Sequence, residues 1–194
     1  MRRDVSALIL AGGRATRLGG VDKRAIVVDG RTIFERQVEV LAPRVAEILV
    51  SVRTPETLAG FRTVVDAVPD AGPLAGVAAG LTAASTPWLL VIAGDMPYIS
   101  GPVVELVLGR IADDFDAVGV RVAGLPEPLL CALACATCAD RVQRRLASGQ
   151  RKASRLLTDG DLRVCWIEEA DLRAVDPELH ALRNVNAPED LRSC

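Results

Sequence analysis

The sequence is poor in histidine and aromatic residues, carries almost no net charge and has no long apolar run. Each shortage removes a class of protein. With His180 as the single histidine, neither a His-based metal site nor a Ser-His-Asp triad can be assembled. A formal net charge of -2, with Arg and Asp/Glu interspersed, offers no basic face to a nucleic acid or another polyanion. No window approaches the ~18 consecutive apolar residues of a membrane span. Nucleic acid and membrane are therefore not expected partners. Met1-Arg2-Arg3-Asp4 leads into a short apolar strand and not into a signal-peptide core, so the expected location is the cytoplasm, where thiols stay reduced. Aromatics at 3% within a hydrophobic total of 50% leave Val, Leu, Ile and Ala to fill the core. That filling suits a parallel sheet covered by helices.

A chain of 194 residues is long enough for one domain with a full core and short for two. Apolar runs alternate with helical patterns at the intervals of β-α units. Strands are expected at Val5 to Ala11, Glu47 to Val52, Arg62 to Asp66, Trp88 to Gly94, Ala117 to Val122, Pro128 to Leu133 and Arg163 to Ile167. Helices are expected at Thr32 to Leu41, Leu74 to Ala84, Val103 to Ile111 and Cys138 to Leu146, with a last short one from Pro188 to Leu191. In the first of these, Ile33, Phe34, Val38 and Leu41 form an apolar stripe that leaves Glu35, Arg36 and Glu39 to water. Asp29-Gly30 marks a turn before it, and Pro73 opens the Ala/Gly-rich second helix. The pattern predicts an α/β fold in a single domain spanning 1–194.

The richest stretch runs from Leu8 to Lys23, where a buried-type strand meets a loop containing Gly12, Gly13, Gly19 and Gly20 and the cations Arg14, Arg17 and Lys23. Glycines let successive N–H groups close on an anion, and three cations balance a triphosphate. No Gly-Lys-Ser/Thr follows, and the spacing is not the dinucleotide G-x-G-x-x-G. Two acids stand at predicted strand ends, where an open parallel sheet places its ligand crevice. Asp95 leaves the run Leu89 to Gly94 just before Met96-Pro97. It is placed either to hold a metal or to cap a helix. Asp66 precedes Gly72-Pro73-Leu74-Ala75-Gly76 and could accept hydrogen bonds from guanine or from a ribose hydroxyl. Asn184 and Asn186, two apart on an extended segment, point to one side and could bind a polar substrate.

Taken in order, Leu10-Ala11-Gly12-Gly13 with Arg17 and Gly19-Gly20-Val21-Asp22-Lys23, then Gly72 to Gly76, Asp95 and Arg183-Asn184-Val185-Asn186-Ala187-Pro188-Glu189-Asp190-Leu191 resemble the motifs of molybdenum cofactor guanylyltransferases. The resemblance implies a three-layer α/β/α Rossmann-like nucleotidyltransferase fold with a mostly parallel sheet. It divides the domain into a nucleotide-binding half, about 1–100, and a pterin-substrate half, about 101–194. The implied reaction transfers GMP from GTP to the phosphate of molybdopterin, with Mg2+ as cofactor. In this scheme Leu10, Ala11, Gly12, Gly13 and Lys23 cradle the phosphates, and Asp66, Gly72, Pro73 and Leu74 line the nucleoside pocket. Asp95 holds the metal, Arg17, Lys23 and Asp95 are the catalytic set, and Arg17, Ser154, Asn184 and Asn186 face molybdopterin. Proteins that make or receive the cofactor are expected as transient partners by the same analogy. Leu18, Gly94 and Ala187 depart from the usual Met, Cys and Thr, and Val52 stands where the family has an Asn at the base. Cytidylyl transfer to the same pterin, transfer to another metabolite, or a catalytically silent nucleotide sensor are thus the alternatives.

Cys131, Cys135 and Cys138 carry the C-x3-C-x2-C spacing that holds an iron-sulfur cluster in radical enzymes. They follow a Pro-Leu-Leu strand late in the chain with no barrel signature around them, so three small reduced hydrophobes are the expected reading.

Overall fold

The computed structural model describes residues 1–11, 23–66, 68, 71–158 and 160–185. In chain order its strands and helices are β1 (Arg2–Leu10), β2 (Val27–Val28), β3 (Arg31–Thr32), α1 (Ile33–Leu41), β4 (Val45–Val52), β5 (Arg62–Val65), α2 (Pro73–Ala83), β6 (Trp88–Ala93), α3 (Gly101–Gly109), β7 (Ala117–Val122), β8 (Leu125–Ala134), α4 (Cys135–Ala147), β9 (Val164–Ile167) and α5 (Glu169–Arg173). Seven of the strands form one sheet in the order β5-β4-β1-β6-β8-β7-β9. Every pairing in it is parallel except the two that β8 makes, with β6 and with β7. Six strands therefore point one way and their carboxyl ends share one edge.

Alternation along β1 sorts the core onto the two faces of the sheet. Ala7 and Ile9 pack with Leu90 and Ile92 under α1 and α3, whereas Leu8 packs with Leu49, Leu89 and Val91 under α2 and α4. Helices thus cover both faces, the three-layer arrangement expected. Each fully buried Leu or Ile contributes about 1.5–3 kcal/mol, so neither face can be stripped without unfolding the other. The small residues of α2 serve closeness: a Cβ added at Gly80 would come within 2.6 Å of Leu8 Cδ2 on the strand below. That helix begins at Gly72 and Pro73, with Pro73 in its first turn where no N–H is needed.

Helix α1 starts where Thr32 and Glu35 form a capping box. Thr32 Oγ1 accepts from the Glu35 N–H (3.1 Å) and Glu35 Oε2 accepts from the Thr32 N–H (2.8 Å). Before it, the turn expected at Asp29-Gly30 closes a small antiparallel hairpin of β2 and β3 that the pattern did not announce, each strand being two residues long. Arg36, expected to face water, is instead braced inward: its Nε donates to Pro97 O (2.9 Å) and its guanidinium lies 5.7 Å from the Tyr98 ring centroid. The short helix α5 was not expected either, and the one expected from Pro188 to Leu191 lies outside the described residues.

Candidate active site

The chain leaves β1, returns as β4 and then β5 on one side, and crosses to β6 on the other. The order reverses at β1, and in an open α/β sheet the crevice opens beyond the carboxyl ends at such a point. The backbone there is tied strand to strand. The Ala11 N–H donates to Ser51 O (3.2 Å), the Gly94 N–H to Leu10 O (3.1 Å) and the Asp66 N–H to Val52 O (3.0 Å). Residues 66, 51–52, 10–11 and 94 therefore form a row along the edge. Asp66 and Asp95 stand at its two ends, three strand spacings or about 14 Å apart along the backbone. At that separation they do not meet on one ligand atom.

Asp66 is half-buried and accepts from Ser51 Oγ at 2.7 Å. Removal from water disfavours its ionised form and raises its affinity for a proton, against the lowering effects of the Ser51 bond and of Arg53. Gly76 of α2 lies against the same pair: a Cβ there would overlap Ser51 Oγ and sit 2.7 Å from Leu10 Cδ2 and 3.1 Å from Asp66 Oδ1. The helix can approach this edge only as glycine. At the other end a Cβ on Gly94 would meet Leu10 O at 2.5 Å, so the turn carrying Asp95 also rests directly on β1. Leu74 is fully buried under the sheet and supports the Asp66 end as core.

Asp95 is half-buried, and its carbonyl accepts from the Val185 N–H at 2.9 Å. Val185 is itself packed with Val28 and Ile33. This single bond brings the exposed Asn184 to the Asp95 end of the edge. Ser154 sits apart, exposed in a short turn that runs into the buried Leu156 and Leu157 on the α2/α4 face. Leu157 reaches Gly119 of β7, so this turn belongs to the side of the sheet beyond β8. Lys23 opens a 3-10 turn whose Arg24 makes a two-pronged ion pair with Glu56 (2.5 and 3.1 Å). The Lys23 side chain lies outside the described residues, as do Gly12, Gly13, Arg17 and Asn186.

Two contributors went unnoticed in the sequence, Ser51 and Gln37. Ser51 is a polar residue inside an apolar run and Gln37 interrupts an apolar stripe between Ile33 and Leu41, so a signal existed for each. The three cysteines are placed as packing. Cys131 and Cys138 point their thiols at the carbonyls of Pro128 (3.4 Å) and Asp116 (3.5 Å). Burial pushes the Cys135 thiol up to about 11, Cys138 to about 12 and Cys131 higher still, so all three stay protonated near neutrality. Among the described residues no group of three His, Cys, Asp or Glu side chains is arranged to hold a metal ion. A single strand-end carboxylate nevertheless suits magnesium, which takes one or two carboxylates and completes its shell with phosphate oxygens and water.

Residues 7–164, which contain the whole row, match the model of the MobA-like NTP transferase domain. The chain belongs to that family. Within the family it is 32% identical over 189 residues to a molybdenum cofactor guanylyltransferase of Desulfosudis oleivorans, covering 96% of this chain and 92% of that one. It is 36% identical to the molybdenum cofactor guanylyltransferase of Ralstonia nicotianae, over 97% and 95% of the two chains. Among solved structures it superposes on molybdopterin-guanine dinucleotide biosynthesis protein A from Archaeoglobus fulgidus with a TM-score of 0.80 at 27% identity, covering 97% and 95%. Membership of the family makes the chain a nucleotidyltransferase, and the row of strand ends is its candidate active site.

Proposed function

We propose that the protein transfers GMP from GTP to the terminal phosphate of molybdopterin, giving molybdopterin guanine dinucleotide and pyrophosphate. The observation that carries this reading is the row itself. An acid fitted to a nucleoside and an acid fitted to a metal-chelated phosphate stand about 14 Å apart across the β1 edge, in a chain whose near full-length relatives are named guanylyltransferases.

A phosphate oxygen of molybdopterin attacks the α-phosphorus of GTP in line; the bond to the bridging oxygen breaks and pyrophosphate leaves. Such a transfer requires positioning and charge neutralisation more than a nucleophilic side chain. Asp66, kept in place by Ser51, binds the nucleoside through its carboxylate, and Gly72, Pro73 and Leu74 shape the wall beside it. Leu10 and Ala11 begin the backbone cradle that Gly12 and Gly13 continue around the phosphates. Lys23 neutralises the leaving pyrophosphate and Arg17 the incoming pterin phosphate. Asp95 is the protein ligand for Mg2+, which supplies charge neutralisation at the phosphates when bound. Asn184, tied to Asp95 through Val185, orients the pterin together with Asn186, and Ser154 adds a hydroxyl on the substrate side. The reaction belongs in the cytoplasm, with proteins that supply or receive the cofactor as transient partners.

The test is pyrophosphate release from purified protein and molybdopterin with GTP, CTP, ATP or UTP, each with and without Mg2+. GTP alone should support turnover, only with the metal, and Lys23→Ala should abolish it. Turnover with CTP in place of GTP would overturn the base assignment, and nucleotide binding without pyrophosphate release would overturn the catalytic one.

A further inference from the structure

Helix α1 buries three residues at successive i, i+4 positions, Ile33, Gln37 and Leu41, and each is fully excluded from solvent. Two are aliphatic; the middle one is an amide. Gln37 Nε2 donates to Ala93 O at 2.8 Å and to Met96 O at 3.2 Å, the two carbonyls that bracket Gly94-Asp95. Facing two acceptors, the amide can present only its NH2 end. Its Oε1 is left buried and, among the described residues, without a partner. A buried unpaired acceptor costs stability, and here that cost accompanies two side-chain bonds that tie the carbonyls of Ala93 and Met96 together.

The rest of the turn is fixed from other directions. The Gly94 N–H is held by Leu10 O, Asp95 O by the Val185 N–H, and Pro97 O by Arg36 Nε (2.9 Å). Gln37 adds a side-chain restraint on the residues immediately before and after the Gly94-Asp95 pair, where the backbone bond between them, from the Met96 N–H to Ala93 O, is long (3.4 Å). A side-chain amide of this length is the group that fits: a protonated Glu offers one donor, Met offers none, and Asn is a methylene short. We infer that Gln37 is a positioning residue that fixes the direction in which Asp95 presents its carboxylate to the phosphates. The inference rests on the role proposed for Asp95. Misplacement of a catalytic group by about 1 Å costs on the order of a hundredfold in rate, a loss large enough to measure without unfolding the protein.

The experiment is a double-mutant cycle of Gln37→Met with Asp95→Asn in the full chain, read by kcat, KM for GTP, thermal midpoint and the 15N-1H resonances of the strand-end amides. Gln37→Met should lower kcat by about ten- to a hundredfold, leave KM for GTP within about twofold and move the Gly94 and Asp95 resonances but not that of Asp66. In the Asp95→Asn background the same substitution should cost less than about twofold, because coupled residues are non-additive. Equal losses in both backgrounds, or an unchanged kcat, overturn the inference while leaving the role of Asp95 intact. Near-normal turnover by Asp95→Asn alone overturns that role and the inference with it. Should the Met variant fail to fold, Gln37→Leu and Gln37→Glu carry the same cycle.

Discussion

Glu47 and Asp116 at one edge of the sheet and Asp66 at the other are treated in opposite ways. At the amino-terminal edge Glu47 accepts from Ser6 Oγ (2.7 Å), Ser85 N–H (2.8 Å) and Ser85 Oγ (2.6 Å), with Arg62 at 3.8 Å. Also there, Asp116 accepts from the Arg163 N–H at 2.9 Å and from its guanidinium at 3.2 Å. For Asp116 the Arg163 bonds dominate and hold the carboxyl below the usual carboxylate range. For Glu47 burial works the other way, but its donors together outweigh it and the result is again a lowered value. At the carboxyl-terminal edge Asp66 is held above that range by burial that the Ser51 hydroxyl and the charge of Arg53 do not offset. An acid satisfied by the protein is architecture. An acid whose charge the fold leaves partly uncompensated is a candidate to bind a ligand.

The comparison breaks first if the carboxyl-terminal edge proves dispensable. Asp95→Ala should reduce nucleotidyl transfer by about a thousandfold, the scale of losing one preorganised electrostatic group, with a thermal midpoint within a few degrees of the native protein. Single-turnover pyrophosphate release and a melting curve on the same sample decide it, and a near-normal rate would refute the role given to Asp95.

A finer test uses Asp66. Its folded-state pKa is raised, so the native protein holds this proton more tightly than the unfolded chain does. Ionising it as pH rises above the unfolded value of about 3.9 therefore costs stability. Asn at this position keeps an oxygen for Ser51 and removes the charge. Asp66→Asn should then melt no lower than the native protein at pH 7, with any gain vanishing below about pH 4, while GTP binding weakens by roughly tenfold, the cost of about one charge-assisted hydrogen bond. Calorimetric titration and melts across pH read both halves. A variant that loses stability at pH 7 and keeps its affinity would assign Asp66 to the architectural class.

Much of this edge could be read in advance because apolar runs end abruptly in acids: Val64-Val65 before Asp66, and Val91 to Gly94 before Asp95. The strand at Ala117 to Val122 was expected with the bounds observed. What escaped the sequence depends on neighbours that sequence spacing does not reveal. Ser51 matters because β5 lies beside β4, and Gln37 because α1 lies over the end of β6. Strand β8 was expected to start at Pro128 and starts at Leu125. Pro126 and Pro128 argue against a central strand, but they fall where β8 runs past its pairing with β6, which begins at Leu130, and where its register with β7 is irregular. Its antiparallel direction follows from the observed bounds: only Ala123-Gly124 separates β7 from β8, and a two-residue connection joins antiparallel strands.

The smallest effect on activity is expected at the opposite edge. Glu47→Leu removes the acceptor shared by Ser6 and Ser85, although Ser6 keeps Thr86 at 2.7 Å and exposed Ser85 turns to water. The loss should be about 1–2 kcal/mol, or roughly 2–8 °C in the thermal midpoint of a chain this size, with kcat and KM unchanged. Because the folded pKa of Glu47 is lowered, its stabilisation is present above the unfolded value of about 4.3 and is lost as pH falls through the folded one. The gap between native and Glu47→Leu melting curves should thus be full at pH 6 and close in strong acid; the Asp66→Asn gap closes in acid as well but has the opposite sign, the variant being at least as stable as the native protein at neutral pH. Loss of turnover in Glu47→Leu at full stability would place a functional acid on the amino-terminal edge and undo the distinction between the two.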